Sequence, residues 1–449
     1  MYRKIIEKLK DKNIAILGFG REGKSTYHFI RKYLKDQKLT ILDQNKIELD
    51  DENIIKIEGK DYLKNLEKYD LIIKTPGISL KDIDQNGIKD KITSQLELLL
   101  EINRKNIIGI TGTKGKSTTT TLMYEILKAV KKDVYLLGNI GIPVLEEVEK
   151  YKEDTILVIE MSSHQLEYVK YSPHIGVILN LYQDHLDHAG SLEHYHQNKM
   201  NILKYQTEED YAIYSEDNPY LEDLVKKTPL KSILYSVRFD DKNMKNHTTR
   251  IKGKDIYIDK ELVYFDDKRK ILGDHNLKNI MFVLTICKIL NIDFTKAHHV
   301  ILNFNGLKYR MEYIGKQHGI LFYNDTIATI PQATISAIKT LKNVDTLIFG
   351  GLDRKIDYEE LKDFILKSDI RNLICMPTTG TMIGKDLEEK TTKKIRYVNT
   401  LEEAYKEAVE LTKKNKICLL SPAAASYEFF KNFEEKGKAF ENIVKNDGI

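Results

Sequence analysis

The segment Gly109-Ile110-Thr111-Gly112-Thr113-Lys114-Gly115-Lys116-Ser117-Thr118 combines the residue types that hold a polyphosphate. It follows the apolar pair Ile107-Ile108 and precedes a helix-prone run, Thr119 to Val130. Glycines let backbone N–H groups approach phosphate oxygens, and a helix N-terminus adds the positive end of its dipole. In such a loop Lys116 reaches the β- and γ-phosphates, and the Ser117 hydroxyl binds Mg²⁺. The spacing is a variant. Five residues separate Gly109 from Gly115 and two separate Gly112 from Gly115, where the standard loop has four. The reading is an enzyme that consumes ATP; the plain alternative is a Gly-rich turn with an incidental lysine.

Other residues have chemical potential. Glu160 closes the apolar run Thr155 to Ile159 and precedes Met161-Ser162-Ser163-His164-Gln165. A carboxylate at a strand's carboxyl end, beside a phosphate loop, is where Mg²⁺ needs an oxygen ligand. The plain reading is a solvated glutamate. The run Asn180-Leu181-Tyr182-Gln183-Asp184-His185-Leu186-Asp187-His188 ends in two aspartates and two histidines within five residues. His185 suits a metal as neutral imidazole, while a Cys/His zinc site lacks a nearby cysteine. His194 and His196 read as surface residues. Lys199, taken alone, reads as an ordinary helical lysine. Finally, Gly18-Phe19-Gly20-Arg21-Glu22-Gly23 follows a strand, and Asp43 ends the next one. By pattern this is a dinucleotide fingerprint with Asp43 on a ribose, which would make an NAD-dependent oxidoreductase. No accompanying hydride-transfer site is visible.

Positioning these residues requires alternating strands and helices. Asn13–Leu17, Leu39–Asp43 and Asp70–Lys74 read as strands of a first unit, with a helix over Lys24–Leu34. Val134–Leu137, Thr155–Ile159 and Gly176–Leu179 read as strands of a second. There Thr249–Ile258 and Leu262–Phe265 look antiparallel and His275–Leu290 helical. Gly319–Tyr323, Thr346–Phe349, Leu373–Met376 and Ile417–Leu420 alternate with helices in a third. Such alternation favours parallel sheets. The expected fold class is α/β in three domains, at residues 1–95, 96–305 and 306–449. The N-terminal domain is Rossmann-like, the central one a P-loop-type ATPase domain with a parallel sheet, and the C-terminal one a Rossmann-like α/β domain.

Composition narrows the field. The 449 residues carry 71 Lys+Arg against 67 Asp+Glu, a net +4, which gives no reason to expect nucleic-acid binding. Cys287, Cys375 and Cys418 lack metal-ligand spacing and fit buried thiols in a reducing cytosol. No apolar run approaches the roughly 20 residues of a membrane span, and no signal-peptide core follows Met1. A cytoplasmic monomer without membrane insertion is expected.

The motifs together resemble the Mur ligases, the ATP-dependent amino-acid-adding enzymes of peptidoglycan synthesis. Gly112 to Ser117 is similar to their phosphate loop. Glu160, Asn180 with Asp184-His185, Gly273-Asp274-His275-Asn276 with Asn279, Gly306-Leu307 with Arg310 and Glu312, and Asn324-Asp325 follow in the family's order. The tail Leu420-Ser421-Pro422-Ala423-Ala424-Ala425-Ser426 with Phe433, and Gly350-Gly351-Leu352-Asp353-Arg354, resemble the branch that adds D-glutamate to UDP-N-acetylmuramoyl-L-alanine.

The resemblance implies roles. Gly112, Thr113, Lys114, Gly115, Lys116, Ser117 and Thr118 would bind ATP, with Asn276, Asn279, Arg310 and Asp325. Gly18, Phe19, Gly20, Arg21, Asp43, Thr75, Pro76, Gly77, Asn139 and Ser162 would bind the UDP-sugar. Thr329, Arg354, Lys355, Ser426 and Phe433 would bind glutamate. Lys116, Glu160, His185 and Lys199 would be catalytic. Ser117, Glu160, His185 and Lys199 would hold two Mg²⁺ ions, Lys199 as a carbamate. The chain departs from the family at Ile327 and Ile330, where lysine and asparagine are usual, at Ala424 for cysteine and at His164 for phenylalanine. An isoleucine cannot donate the hydrogen bonds of the residues it replaces, so L-glutamate, or another Mur-type ligase, stays open. A non-catalytic UDP-sugar-binding scaffold is a further alternative.

Overall fold

The computed structural model describes residues 2–182, 191–240, 246–265, 269–271, 273–354, 356–426 and 429–447. Strands alternate with helices, and three parallel-rich sheets follow one another along the chain. The first contains β1 (Ile14–Leu17), β2 (Leu39–Asp43), β3 (Ile54–Glu58), β4 (Leu71–Lys74) and β5 (Ile92–Thr93). Its order is β3-β2-β1-β4-β5, parallel throughout. The second contains β6 (Ile107–Thr111), β7 (Val134–Gly138), β8 (Ile156–Glu160), β9 (Ile175–Ile178) and β10 (Tyr211–Ser215). To these it adds β11 (Ile233–Arg238), β12 (Thr248–Lys252), β13 (Asp255–Ile258) and β14 (Glu261–Tyr264). The order is β14-β13-β12-β11-β10-β9-β6-β8-β7, antiparallel only at β12–β13 and β13–β14. The third holds β15 (Glu312–Gln317), β16 (Ile320–Asn324), β17 (Val344–Gly351), β18 (Asn372–Thr378), β19 (Lys394–Tyr397) and β20 (Ile417–Leu420). Its order is β15-β16-β20-β17-β18-β19, antiparallel only at β15–β16.

Residues 1–269 and 274–302 form one compact unit, and residues 270–273 and 303–449 another. In the first unit the two sheets share a core. Ile14, Ile16 and Phe29 from the first sheet's layer belong to the same buried cluster as Leu137, Leu145 and Leu157 from the second. In the second unit, Leu347, Phe349, Leu373 and Leu419 fill one side of the sheet, and Phe322, Ile348, Leu420 and Phe440 the other.

The central strands read clearly because parallel strands buried on both faces are continuous apolar runs. All four residues of β1, and all five of β6, are buried. Strands β3, β11 and β19 escape a sequence reading for the opposite reason. β3 and β19 are sheet edges that carry exposed, charged residues, as edges tend to. β11 begins with two exposed residues. The helix expected from Lys24 begins at Arg21, because Gly20 already serves as its N-cap.

Chain order reverses around β1, which lies between β2 and β4, and around β6, which lies between β8 and β9. Loops at the carboxyl ends of such strands diverge and open a crevice. Gly18 follows β1 with φ +91°, and Gly112 follows β6 with φ +154°. The first glycine turn packs tightly. A Cβ on Gly23 would lie 2.1 Å from the Gly18 carbonyl oxygen, whereas a Cβ on Gly77 would meet nothing within 4 Å. Gly23→Ala should therefore cost the full chain about 1–3 kcal/mol in denaturant unfolding, with Gly77→Ala within about 0.5 kcal/mol of wild type.

Candidate active site

The turn after β6 is built from backbone. Gly115, in the left-handed region at φ +88°, caps the helix Lys116–Ala129, so the helix starts on the lysine itself. Asn180, just past β9, pins the turn from the neighbouring strand. Its Oδ1 accepts from the Thr113 amide at 3.1 Å and the Lys114 amide at 2.9 Å, while its Nδ2 donates to the Lys114 carbonyl at 2.9 Å. The Thr113 hydroxyl accepts from the Tyr182 amide at 2.9 Å. Gly115 suits glycine on two counts, since its φ is +88° and a Cβ would fall 2.5 Å from Oδ1 of Asn279 on the helix Asp274–Ile289. Asn279 Nδ2 in turn reaches Asn276 Oδ1 at 3.4 Å. Residues 112–118, Asn276 and Asn279 thus gather on one side of the second sheet's central strand.

Two lysines converge on one carbonyl in this turn. Lys116 Nζ donates to the Gly112 oxygen at 2.9 Å and to the Thr113 oxygen at 3.1 Å. Lys199 Nζ donates to the same Gly112 oxygen at 3.1 Å and sits 4.8 Å from the Tyr195 ring centroid. Lys199 is not the solvated helical lysine its local sequence suggests. It is 1% exposed, on the helix Leu192–Lys204, whose start is fixed by Ser191 accepting from the His194 amide. Lysine is almost never fully buried without partners, and here the helix register carries it inward beside Met200 and Leu203. His196 is likewise buried rather than on the surface. Burial first, then the Lys199 charge, pushes its imidazole pKa down, against a backbone hydrogen bond to Tyr182 that pulls it up.

Glu160 ends β8 and is 1% exposed, not the solvated glutamate of the plain reading. Its Oε1 accepts from Asn139 Nδ2 at 2.8 Å. Its Oε2 is buried with no hydrogen-bond partner among the described residues. An unsatisfied buried carboxylate oxygen costs several times what a made hydrogen bond returns, so a cation ligand is the chemistry it fits. Ser117 lies on the first turn of the adjoining helix. His185 lies outside the described residues, as does Lys355.

The first sheet's residues meet these loops. Asp43 does not reach outward from its strand. Its Oδ2 accepts from the Phe19 amide at 2.6 Å and its Oδ1 from the Asn45 amide at 2.8 Å, so it holds the Gly18–Gly20 turn. Thr75 holds the same turn by donating its hydroxyl to the Leu17 carbonyl at 3.0 Å. Pro76 and Gly77 follow directly. Arg21 donates to the Gly141 carbonyl, within the loop that carries Asn139. Ser162 caps a short helix in a reciprocal capping box with Gln165.

In the second unit, Asp325 follows β16 and Ser421 follows β20. Asp325 Oδ2 accepts from Ser421 Oγ at 2.7 Å and its Oδ1 from the Met311 amide at 3.1 Å. Ser421 Oγ also lies 2.8 Å from Thr334 Oγ1. Arg310 sits between Tyr309 (φ +64°) and Met311 (φ +42°), both left-handed. Arg354 Nη2 donates to the Thr329 carbonyl at 3.3 Å, and Leu352 pairs with Ala425, next to Ser426. The Ser426 hydroxyl is buried without a hydrogen-bond partner among the described residues. Thr329, Arg354 and Ser426 thus share the carboxyl edge of this sheet. Phe433 packs against Tyr309 at 6.2 Å between ring centroids. Lys436, absent from the sequence reading, is 3% exposed and donates to the Gly350 carbonyl at 2.9 Å. No periodicity marks it, since its neighbours on that helix are charged.

Residues 110–287 match the Mur ligase middle domain, and residues 309–424 match the Mur ligase glutamate ligase domain. The chain belongs to the Mur ligase family, and it is a ligase of peptidoglycan synthesis. UDP-N-acetylmuramoylalanine–D-glutamate ligase of Clostridioides difficile (strain 630) is 33% identical over 459 residues, covering 98% of this chain and 99% of that protein. The enzyme of the same name from Clostridium botulinum (strain Kyoto / Type A2) is 32% identical, covering 99% of this chain and 98% of that protein. Among solved structures, the UDP-N-acetylmuramate–alanine ligase of Thermotoga maritima shares the fold at TM-score 0.59 and 17% identity, covering 97% of this chain and 100% of its own. The MurF ligase of the same organism, solved with ADP, does so at TM-score 0.56 and 17% identity, covering 98% and 97%.

Burial lifts the Asp325 carboxyl to about 7, against the hydrogen bonds from Ser421 and Met311 and the charge of Arg310, which pull it down. Between the unfolded value of 3.8 and about 7 the folded state holds the extra proton. Its contribution to stability is therefore full at low pH and is lost as pH rises through the folded value. Denaturant titrations from about pH 4 to about pH 8 should show wild type losing stability relative to Asp325→Asn. A constant difference across that range would remove the protonated carboxyl from the account.

Proposed function

We propose that this chain joins D-glutamate to UDP-N-acetylmuramoyl-L-alanine, with ATP as the energy source. The observation that carries this reading is the full-length similarity, at 32–33% identity, to enzymes named for that reaction. The geometry of the Gly112 turn supports it. The first sheet is read as a Rossmann-like UDP-binding domain over 1–95, which its strand order supports. Residues 96–305 are read as the ATP-binding domain and 306–449 as a Rossmann-like glutamate-binding domain. The full-length family match supersedes the NAD reading of Gly18–Gly23. Free, buried cysteines favour a reducing cytoplasm. No helix among the described residues is long and apolar enough to cross a membrane. We read the chain as a monomer that binds no nucleic acid.

In this reading the muramoyl-alanine carboxylate attacks the γ-phosphorus of ATP, the bond to ADP breaks, and an acyl phosphate forms. The glutamate amine then attacks the acyl carbon, loses a proton, and inorganic phosphate leaves. Lys116 leaves its two loop carbonyls for the phosphoryl oxygens, and the amides of residues 113–118 cradle them. Asn276 and Asn279 bind adenine, with Arg310 and Asp325 on phosphate and ribose. Ser117, Glu160 and His185 would hold two Mg²⁺ ions, which offset charge on the transferring phosphoryl group. Lys199 as a carbamate would keep one N–H for the Gly112 carbonyl while presenting a carboxylate-like end. The Gly18–Arg21 turn, Asp43, Thr75–Gly77, Asn139 and Ser162 bind the UDP-sugar. Thr329, Arg354, Lys355, Ser426 and Phe433 bind glutamate.

L-glutamate is the second reading. Ile330 leaves it open, standing 44% exposed at the N-cap of the helix Pro331–Leu341, where the family has an amide. The test is Mg²⁺-dependent phosphate release with UDP-N-acetylmuramoyl-L-alanine and each glutamate isomer. D-glutamate should be preferred at least about tenfold; preference for the L-isomer would reverse the stereochemical assignment. Release with neither would reject the acceptor. Lys199→Ala should lower the rate about 10- to 100-fold, with partial rescue by short carboxylic acids. A fully active variant would take Lys199 out of the mechanism.

A further inference from the structure

Glu22 and Lys74 have no role in the chemistry above, yet Lys74 is buried and Glu22 half-buried, and both reach from the first sheet's layer to the segment after β8. Glu22 is the second residue of the helix Arg21–Tyr33. Its Oε1 accepts from Gln165 Nε2 at 2.7 Å. The same Gln165 amide uses its oxygen on Ser162, accepting from the backbone N–H at 3.0 Å and lying 3.2 Å from the hydroxyl. Lys74, the last residue of β4, is 4% exposed and lies 3.4 Å from Glu167 Oε2. Its charge also acts on Glu22, whose pKa burial raises and whose hydrogen bond from Gln165, followed by Lys74, lowers. Glu167 in turn lies 3.6 Å from His194, on the helix that carries Lys199.

We propose that Glu22 and Lys74 are positioning residues for the muramoyl substrate, acting through Gln165 and Glu167 respectively on the Ser162 turn that follows Glu160. This rests on the reading of Ser162 as part of the UDP-sugar site. The buried ion pair of Lys74 with Glu167 is a poor source of stability, because an apolar pair of similar volume often does as well. What it specifies is geometry. A carboxylate at position 22 accepts from Gln165 Nε2, which orients the amide so that its oxygen faces Ser162. Lys74, 3.4 Å from Glu167, holds the residue that caps the other end of the same short helix. The companion residue Arg21 holds the Gly141 loop, whose Asn139 donates to Glu160. The first turn of one helix thus grips both loops that flank the Glu160 carboxylate.

The experiment compares full-length wild type with Glu22→Met, Lys74→Met and the double variant Lys74→Met/Glu167→Met. Amide exchange across residues 162–166, melting temperature, and KM for UDP-N-acetylmuramoyl-L-alanine and for ATP are measured on each. Glu22→Met should speed exchange of the turn and raise KM for the UDP-sugar about tenfold, with KM for ATP within about twofold. The double variant should recover the melting temperature lost in Lys74→Met but keep its raised KM. A merely structural pair would restore KM along with stability. Unchanged exchange and KM in a folded Glu22→Met would also overturn the proposal. If Glu22→Met does not fold, Gln165→Glu removes the donor end while keeping an oxygen for Ser162, and takes the same measurements. If wild type does not turn over this UDP-sugar, the substrate reading fails, while exchange at residues 162–166 still decides the relay.

Discussion

The Gly112 carbonyl oxygen is the point on which the first unit turns. It accepts from Lys116 at the start of one helix and from Lys199 in the middle of another. Two ammonium groups drawn to one oxygen repel each other, and the burial of Lys199 limits how far water screens them. The arrangement is tolerable because Asn180 holds the turn open through backbone amides, leaving its carbonyls directed at the lysines. In the proposed reading, an anion arriving at the helix N-terminus relieves the conflict by taking Lys116, and the turn already contains the charge that a polyphosphate needs. It also explains why Lys199 is buried, since its partner is a backbone group deep at the carboxyl end of β6.

The two sheets of the first unit are joined in two different ways. Apolar side chains form one continuous core, which sets distance but, being non-directional, leaves angular detail loose. Directional contacts supply that detail at the loop ends. Asp43 and Thr75 fix the Gly18 turn from within the first sheet. Arg21 and Glu22 tie it to the second. Asp43 is instructive here. The dinucleotide pattern assigns such an acid to a ribose, but both of its oxygens already serve amides of its own sheet. Its first duty is to shape the loop.

What was legible in the sequence follows from burial. Strands β1, β6, β8 and β20 are apolar runs covered on both faces, and the glycine turns and Glu160 come directly after such runs. β3 and β19 lie at edges and carry lysines and arginine, so their pattern is that of a surface. Lys199, His196 and Lys436 were illegible for another reason. Each is a polar residue among polar neighbours on a helix, and its burial depends on which tertiary surface that helix meets. Periodicity records apolar faces only. Only the family resemblance singled out Lys199, and neither approach found Glu22 or Lys74, whose partners lie 143 and 93 positions away in the chain.

The second unit shows how a cation is presented without a helix. Arg310 lies between two residues in the left-handed region, neither of them glycine. Each such residue costs on the order of 1–3 kcal/mol and persists only where its surroundings over-determine it. Here they do. The Tyr309 amide donates to Glu312 and the Met311 amide to Asp325, while the Tyr309 carbonyl accepts from the Ile327 amide. A Cβ on Gly437 would strike the Tyr309 ring at 2.2 Å, so the C-terminal helix closes on the turn as well. Asp325 therefore has two tasks, holding the turn and facing Arg310. Burial that raises its pKa weakens the second task, and the Arg310 charge opposes that rise. The strained turn fixes the backbone on which the arginine stands, which suits the phosphate contact proposed for Arg310.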